Sequence, residues 1–384
     1  MSGHGDALAR DFHAPGDRAR LEPRLDRSHG GDVERWARSA GIEPGELLDF
    51  SASINPLGPP AAARQAFMKS YADLSRYPDP YGGKLKQALA TRHRMRPQNI
   101  LIGNGSTQLI YLLCTALRPR KALVVGPAFS EYSNALALAG ADIRMLPLCA
   151  DDGFQFSTER LTAAWEKDCD IVFLATPNSV TGRLIPRAEI EKIARAASAR
   201  KSFIVVDEAF IDFAEAESVK TLVRENPYLI VLRSLTKYYA LPGLRLGYLF
   251  GAANRVAQLA AYQEPWSVNG PGLTVALACL RDASFTAKTE RWLERERQFL
   301  ADRLHAIPGL HTFASRTNFL LVKIEKPGAT ASQLHSFLLG RKILIRDCAS
   351  FAGLSGDYFR VSVKRRKDNR LLLAALYEWT KSNR

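Results

Sequence analysis

The sequence has no long hydrophobic run, and none of its apolar stretches approaches the roughly 18 residues that a membrane-spanning helix requires. Its opening stretch, MSGHGDALARDFHAPGDRAR, contains no apolar core of the kind that a secretory signal needs. We therefore expect no membrane partner. Residues 1–28 are interpreted as a polar leader that could be disordered.

Cysteine and histidine patterns are sparse as well. The sequence has five cysteines, without a CxxC pair, and seven histidines that do not cluster. Scattered cysteines in apolar surroundings predict reduced, buried thiols and a cytoplasmic setting. Because neither the cysteines nor the histidines cluster, we expect no metal site. The cysteines are Cys114, Cys149, Cys169, Cys279 and Cys348.

Acidic residues are few relative to basic ones: 39 Asp and Glu stand against 53 Lys and Arg, and the formal net charge is +14. A nucleic-acid-binding surface would need these basic residues to be concentrated on one face or interleaved with aromatic residues. The densest run, KRRKDNR at 364–370, instead leads into an apolar helix pattern. We therefore expect no nucleic-acid partner, and a positive field that attracts small anionic substrates.

What the sequence does contain is a regular alternation of strand and helix patterns from about residue 99 to 250. Short runs such as ILIG, ALVVG, IVFLAT, FIVVD and LIVLRS are separated by helix-like stretches. This alternation predicts an α/β fold with a large doubly wound, mostly parallel sheet. Later strand and helix patterns predict a small α+β domain. The predicted segments are the leader at 1–28, an N-terminal arm and substrate-site segment at 29–75, the large α/β domain at 76–285 and the small C-terminal domain at 286–384.

The segment ILIGNGSTQ ends a predicted strand with a glycine turn, and Ser106 and Thr107 follow it. Open α/β sheets bind ligands at such strand ends. Gly103 and Gly105 permit a tight turn, after which exposed N–H groups and two hydroxyls at a helix start would suit a phosphate. The alternative is an ordinary helix cap, because Ser and Thr are common at that position.

Two further strand ends carry an acid and a lysine. Asp207 in VVDEAF could face a cationic ring nitrogen or could cap the next helix. Lys237 in RSLTKYYALPGLRLGY could be a surface lysine, or a buried one able to form a Schiff base, with Arg245 holding a phosphate. A phosphate, an aldehyde and a cationic ring together describe pyridoxal 5'-phosphate, whose pyridine needs an acid partner.

These segments resemble fold-type I pyridoxal-phosphate enzymes, and in particular the histidinol-phosphate aminotransferase branch, from about residue 29 to the C-terminus. The resemblance implies a Schiff base at Lys237 and a pyridinium partner at Asp207, the two catalytic residues. It also implies a homodimer in which Tyr77 reaches the neighbouring subunit's cofactor. The remaining cofactor-binding candidates are Gly105, Ser106, Thr107, Phe129, Asn178, Ser179, Phe210, Ser234, Thr236 and Arg245.

Within that branch, the segment HGGDVERWARSAGIEPGELLDFSASINPLGPP resembles threonine-phosphate decarboxylases of cobalamin synthesis, as do DEAF and ILIRDC. This resemblance implies that L-threonine O-3-phosphate is converted to (R)-1-amino-2-propanol O-2-phosphate and carbon dioxide. Histidinol-phosphate aminotransferase, acting with 2-oxoglutarate, is the alternative. Candidates for holding the substrate's phosphate and carboxylate, with their division left open, are His29, Asn55, Arg346 and Arg360.

One segment departs from the family pattern. The family's PNNPTG reads PNSVTG at 177–182, so Ser179 stands where the family has an asparagine that hydrogen-bonds the ring oxygen of the cofactor. Either a water molecule intervenes or Asn178 takes that role after a local shift. Phe210 has no hydroxyl to offer the same oxygen. With fewer donors at this oxygen, we predict a higher pKa for the Schiff base.

Overall fold

The computed structural model describes residues 29–382, and the predicted leader at 1–28 lies outside the described residues. Among the described residues, no helix combines the length and the hydrophobicity needed to cross a bilayer. The strands are β1 (Leu48–Asp49), β2 (Ile100–Asn104), β3 (Lys121–Gly126), β4 (Asp142–Pro147), β5 (Ile171–Ala175), β6 (Phe203–Asp207), β7 (Leu229–Ser234), β8 (Leu246–Phe250), β9 (Leu310–Thr312), β10 (Phe319–Ile324), β11 (Ile343–Leu344), β12 (Arg346–Asp347) and β13 (Tyr358–Ser362). The helices are α1 (Val33–Ala40), α2 (Ala61–Ser70), α3 (Gly83–His93), α4 (Gly105–Leu117), α5 (Ser130–Leu138), α6 (Thr158–Ala164), α7 (Arg187–Arg200), α8 (Ala253–Ala260), α9 (Gly270–Leu280), α10 (Ala283–His305), α11 (Ala331–Leu339) and α12 (Arg366–Ser382).

A seven-stranded sheet in the order β2–β8–β7–β6–β5–β3–β4 forms the large module. β8 runs antiparallel to both of its neighbours, and the other adjacent strands are parallel. Along β5, Val172 and Leu174 pack into one apolar cluster, whereas Ile171 and Phe173 pack into another. Both faces of the sheet are therefore buried along its inner strands, which explains why these strands are nearly continuous apolar runs. The predicted α/β fold is confirmed.

A second, antiparallel sheet in the order β12–β13–β10–β9 forms the small module, together with α10, α11 and α12. The N-terminal arm is attached to this module, because β1 pairs with β11 in parallel. Leu48 N–H donates to Lys342 O at 2.8 Å, and Phe50 N–H donates to Leu344 O at 2.7 Å. The Phe50 side chain is fully buried in the core of the small module. The residues that follow Phe50 are thereby held between the two modules.

The carboxyl ends of the parallel strands meet at one edge of the large sheet. Asn104, Asp207 and Ser234 are the last residues of β2, β6 and β7. Because β8 is antiparallel, its first residues lie at the same edge, and Leu246 is opposite Asn104. Arg245, which precedes β8, is therefore brought beside the start of α4. This edge, closed by the small module, is where the candidate site lies.

Candidate active site

A cavity of about 450 Å³ opens at this edge, and we call it the pocket. Side chains from both modules and from the N-terminal arm line it. Its lining residues are His29, Gly30, Ser51, Ala52, Ser53, Gly105, Ser106, Thr107, Phe129, Ser130, Glu131, Ser179, Asp207, Ala209, Phe210, Ser234, Thr236, Lys237, Arg245, Arg346, Phe351 and Arg360.

The start of α4 forms an anion-binding corner of the pocket. Its N-cap residue, Asn104, makes no side-chain capping hydrogen bond, so the first N–H groups of this 13-residue helix remain available to a ligand. Gly105 has φ +76°, and a Cβ there would lie 2.7 Å from Arg245 Nη2. The glycine therefore permits the guanidinium to lie against the helix start, where it adds its charge to the helix dipole. Ser106 and Thr107 line the same corner.

Asp207 lies in the pocket at the end of β6 and is almost fully buried. Its Oδ2 accepts a hydrogen bond from Tyr132 Oη at 2.6 Å, and its Oδ1 accepts one from Ala209 N–H at 2.9 Å. Burial raises the pKa of Asp207, while the hydrogen bonds from Tyr132 and Ala209 act in the opposite direction. The carboxyl group is thus oriented, and a cationic partner in the pocket would stabilise its charge.

Lys237 extends into the pocket from the turn that follows β7. Burial, together with the positive charges of Arg360 and Arg245, lowers the pKa of Lys237 to about 8. Asn55 fixes the backbone of this turn, because its N–H donates to Lys237 O at 3.1 Å and its Nδ2 donates to Tyr238 O at 2.9 Å. A lysine with this pKa has a substantial neutral fraction near neutral pH, as a nucleophilic amine requires.

Hydroxyl and aromatic side chains complete the part of the pocket around Lys237. Ser234 Oγ and Thr236 Oγ1 are 2.7 Å apart and share a hydrogen bond. Phe129 lines the pocket immediately before α5, with its ring edge-on to Tyr132 at a centroid distance of 5.9 Å. Phe210 also lines it and is almost fully buried. A planar ring held in the pocket would therefore find an aromatic surface and several hydroxyl donors.

Two arginines bring positive charge to the pocket from the small module. Arg346 is largely buried and donates to Ser350 Oγ at 3.2 Å. Arg360 donates through Nη1 to Ser179 O and through Nη2 to Ser51 O, the latter at 3.3 Å. Burial lowers the pKa of Arg360 to about 10, so its guanidinium is charged at neutral pH. Both groups are placed to hold an anion that lies deep in the pocket.

Residues 45–376 match the family of aminotransferases of class I and II. The chain belongs to this family. It is 40% identical over 351 residues to threonine-phosphate decarboxylase of Salmonella typhimurium, which covers 91% of this chain and 95% of that protein. It is 31% identical over 335 residues to histidinol-phosphate aminotransferase 2 of Archaeoglobus fulgidus, which covers 87% of this chain and 93% of that protein. Among solved structures, L-threonine-O-3-phosphate decarboxylase of Porphyromonas gingivalis matches with a TM-score of 0.77 and 27% identity, over 86% of this chain and 99% of that chain.

This aminotransferase-family chain is a pyridoxal 5'-phosphate-dependent enzyme, and the predicted cofactor is confirmed. The residues of the pocket fit the chemistry of that group. The start of α4 and Arg245 suit its phosphate, and the buried carboxyl of Asp207 suits a protonated ring nitrogen. Lys237 offers an amine of lowered pKa for its aldehyde.

Three of the predicted site residues do not line the pocket. Asn55 is buried behind Lys237, where its amide also contacts Thr289 Oγ1 at 3.2 Å. Asn178 donates to Pro127 O, and its Oδ1 accepts from the N–H groups of residues 180 and 181, so Ser179 is the member of this pair in the pocket. Tyr77 is 82% exposed and packs on Trp266. The other predicted residues come together in the pocket, as the lining set given above shows.

The sequence patterns missed three residues of the pocket region. Tyr132 and Glu131 belong to the SEY segment directly after Phe129, and only Phe129 was predicted as a site residue. Ser53 lies two residues before the predicted Asn55, and its Oγ has no hydrogen-bond partner within residues 29–382. Ser53 belongs to the segment DFSASINPLGPP, and the family resemblance of that segment was the available signal for it.

Proposed function

We propose that the protein decarboxylates L-threonine O-3-phosphate to (R)-1-amino-2-propanol O-2-phosphate and carbon dioxide, in cobalamin biosynthesis. The observation that carries this proposal is a surplus of cationic groups in the pocket. Arg245 lies against the start of α4, where the two would hold the phosphate of the cofactor. Arg346 and Arg360, which we call the cationic wall, are left, with His29 beside them, to bind a substrate with a phosphate and a carboxylate. The 40% identity to a threonine-phosphate decarboxylase supports the same reading.

The cationic wall would also decide which bond breaks. Pyridoxal phosphate supplies an electron sink that stabilises a carbanion at the Cα of a bound amino acid. A decarboxylase must present the bond between Cα and the carboxylate to this electron sink, so the pocket would have to fix the orientation of the carboxylate. The substrate phosphate provides the anchor, since an arginine can bind it with several charge-assisted hydrogen bonds. Arg346 and Arg360 are together the candidates for holding the phosphate and the carboxylate.

Asp207 and Lys237 are the catalytic residues of this proposal. The Asp207 carboxylate would hold a proton on the ring nitrogen of the cofactor, and Tyr132 keeps that carboxylate oriented through its hydrogen bond. When the bond from Cα to the carboxylate breaks, carbon dioxide leaves and the electron pair stays with Cα. The ammonium form of Lys237 then gives a proton from Nζ to Cα and becomes a neutral amine, which its lowered pKa favours.

We further propose a cytoplasmic homodimer in which Tyr77 reaches the neighbouring subunit's cofactor. Tyr77 is highly exposed, and so are the large side chains of Tyr71, Leu74 and Tyr81, which are close to it in the sequence. A single copy that leaves such a patch open favours association. Sedimentation measurements test the dimer. Lys237→Ala and Tyr77→Ala should each be inactive alone. If Tyr77 serves the neighbouring subunit's site, a mixed dimer of the two variants has one site with both residues intact, and mixing should restore part of the activity.

The decisive experiment is an assay of the cofactor-loaded protein with L-threonine O-3-phosphate, in which carbon dioxide is measured with and without 2-oxoglutarate. Release that does not depend on the keto acid supports decarboxylation. The 31% identity to an archaeal histidinol-phosphate aminotransferase favours that activity as the second candidate. Glutamate formed from 2-oxoglutarate and histidinol phosphate, without carbon dioxide release from threonine phosphate, would replace the proposed function by transamination.

A further inference from the structure

A second carboxylate, Glu131, faces the pocket. It lies in the first turn of α5, and its side chain is only 10% exposed. Tyr111 Oη donates to its Oε2 at 2.6 Å, and Asn134 Nδ2 donates to its Oε1 at 3.2 Å. These two donors come from the large module. The pocket edge supplies a further partner, since His29 Nε2 lies 3.0 Å from Glu131 Oε1.

His29 belongs to a short segment, residues 29–31, that is fixed at both ends. On the large-module side His29 meets Glu131, and its ring lies 5.8 Å from that of Phe129. On the small-module side, Gly31 N–H donates to Ser51 Oγ at 2.8 Å. A Cβ at residue 30 would collide with the carbonyl oxygen of Ser51, so glycine is required for this approach. The segment therefore spans the solvent edge of the pocket from one module to the other.

The same contacts connect the 29–31 segment to Arg360 of the cationic wall. The Ser51 carbonyl that packs against Gly30 also accepts a hydrogen bond from Arg360 Nη2. Asp49 fixes this turn, because its Oδ1 accepts from Ser51 N–H and Ser51 Oγ at 2.7 and 2.6 Å. A displacement of the 29–31 segment would thus remove His29 from the pocket and loosen the backbone that supports Arg360.

We propose that Glu131 is a positioning residue that holds His29 and the 29–31 segment across the pocket for binding of a phosphorylated substrate. Glu131 engages Nε2 of the imidazole, so Nδ1 is the ring nitrogen left to the substrate. The role of Glu131 in substrate binding rests on the proposed function. Its role in holding the 29–31 segment does not. A carboxylate that served packing alone would be satisfied by Tyr111 and Asn134 without His29.

The geometry gives a matched pair of substitutions at His29. The amide of asparagine can take the place of Nδ1, and the amide of glutamine can take the place of Nε2. His29→Gln should therefore keep the contact to Glu131 and lose the contact to the substrate. His29→Asn should do the reverse. Glu131→Gln weakens the same contact from the other side, and Glu225→Gln, at an exposed position in a turn far along the chain, serves as the control.

Hydrogen exchange of peptides covering residues 29–31 in the cofactor-loaded protein is the first measurement. Loss of one charge-assisted hydrogen bond should speed this exchange about tenfold in Glu131→Gln and in His29→Asn. Exchange in His29→Gln and in Glu225→Gln should match that of the wild type. Unchanged exchange in both Glu131→Gln and His29→Asn would overturn the proposal. If Glu131→Gln does not fold, the two His29 variants still decide it, because they differ at an exposed side chain.

Steady-state kinetics with L-threonine O-3-phosphate is the second measurement. Glu131→Gln should raise KM about tenfold and leave kcat close to that of the wild type, because the residue acts on binding through His29. A fall in kcat at unchanged KM would show that Glu131 does not act by positioning a binding group. The charged groups that share the pocket with His29 are Glu131, Asp207, Lys237, Arg245, Arg346 and Arg360, and all of them are retained in the His29 variants. If the wild type releases no carbon dioxide, the proposed function fails. The hydrogen-exchange data then decide, without the kinetics, whether Glu131 holds the 29–31 segment.

Discussion

Arg346 and Arg360 lie directly opposite each other across the antiparallel strands β12 and β13, and both line the pocket. Each guanidinium also lies over an aromatic ring: Arg346 is 5.0 Å from the Phe351 centroid, and Arg360 is 4.8 Å from that of Phe319. Like charges at directly opposed positions destabilise a sheet. The small module therefore retains an unfavourable pair that an anionic substrate would relieve, which is typical of a preorganised binding site.

The first prediction concerns this pair. Arg346→Gln should raise the free energy of unfolding of the ligand-free protein by roughly 0.5 kcal/mol, because it removes the repulsion. The same change should raise KM for L-threonine O-3-phosphate roughly 30-fold, as expected for the loss of about 2 kcal/mol of charged hydrogen bonding. Thermal denaturation and steady-state kinetics check the two effects. Arg370→Gln, which removes the same charge at an exposed position, should change neither the stability nor KM. If Arg346→Gln lowers the free energy of unfolding while Arg370→Gln does not, the two arginines do not repel each other as proposed.

The second prediction concerns the reactivity of Lys237. The cofactor-free protein should take up pyridoxal phosphate faster as pH rises, with a midpoint near the lysine's pKa of about 8, since the neutral amine is the nucleophile. Arg360→Met removes a positive charge that lowers this pKa, so the midpoint should move to higher pH. Stopped-flow absorbance measures the rate. A midpoint that stays in place in Arg360→Met would show that burial alone sets the pKa.

The same pKa has a consequence for stability. In the cofactor-free protein the folded-state pKa of Lys237 lies below its usual value of about 10.4. Between these two values the unfolded chain binds more protons, so the contribution of Lys237 to stability increases as pH rises from about 8 to about 10.4. Lys237→Met should therefore stabilise the cofactor-free protein most at and below pH 8, as urea denaturation at several pH values can establish.

The sequence was sufficient to predict the fold, and to predict that the candidate residues at strand ends lie together at one edge of the sheet. Asp207 and Arg245 were identifiable because parallel strands bring their carboxyl ends to one edge, and the antiparallel β8 brings its start there. Lys237 was identifiable by its place in the turn after β7. Such positions depend on the order of elements along the chain, which hydrophobic periodicity reveals.

Residues whose role depends on side-chain direction could not be predicted in this way. Asn55 and Ser53 are two residues apart in an irregular segment, and only tertiary contacts turn Asn55 behind Lys237 and leave Ser53 in the pocket. Tyr132 and Glu131 contact partners 75 and 20 residues away, which no local pattern specifies. Asn178 resembled a cofactor ligand by position, but its amide is used to hold its own turn.

The third prediction concerns Tyr132. Tyr132→Phe removes the hydrogen bond to Asp207 Oδ2, which counteracts the rise that burial causes in the pKa of Asp207. The pKa of Asp207 should therefore rise further, and the acid limb of the kcat profile should move to higher pH. The affinity for pyridoxal phosphate, measured by its retention during dialysis, should fall about fivefold, as expected for the loss of one hydrogen bond worth about 1 kcal/mol. An unshifted acid limb would mean that Asp207 is not the group whose ionisation limits the rate.

The fourth prediction concerns the serine at position 179. Ser179→Asn would place an amide donor at a position that lines the pocket, where the family pattern has the asparagine expected to hydrogen-bond the ring oxygen of the cofactor. We expect the absorbance of the bound cofactor to titrate at a lower pH. A donor to the ring oxygen withdraws electron density from the nitrogen of Lys237 that is bonded to the cofactor, and so lowers the pKa of that nitrogen. Asn178→Ser is the matched comparison. It should leave this titration in place and instead destabilise the turn that Asn178 holds. A titration that is insensitive to Ser179→Asn would sink the hypothesis.

The fifth prediction separates backbone strain from a steric effect on the phosphate corner. Gly105→Ala places a Cβ 2.7 Å from Arg245 Nη2 at a residue with φ +76°. Gly140 has a similar φ of +80°, and a Cβ there meets nothing within 4 Å. Both substitutions should cost roughly 1–2 kcal/mol of stability, since both place a side chain in the left-handed region. Gly105→Ala alone should also weaken binding of pyridoxal phosphate, measured by equilibrium dialysis, because Arg245 must move away from the start of α4. Equal affinities in the two variants would show that the guanidinium can shift without losing the phosphate, and that the helix N-terminus dominates this corner.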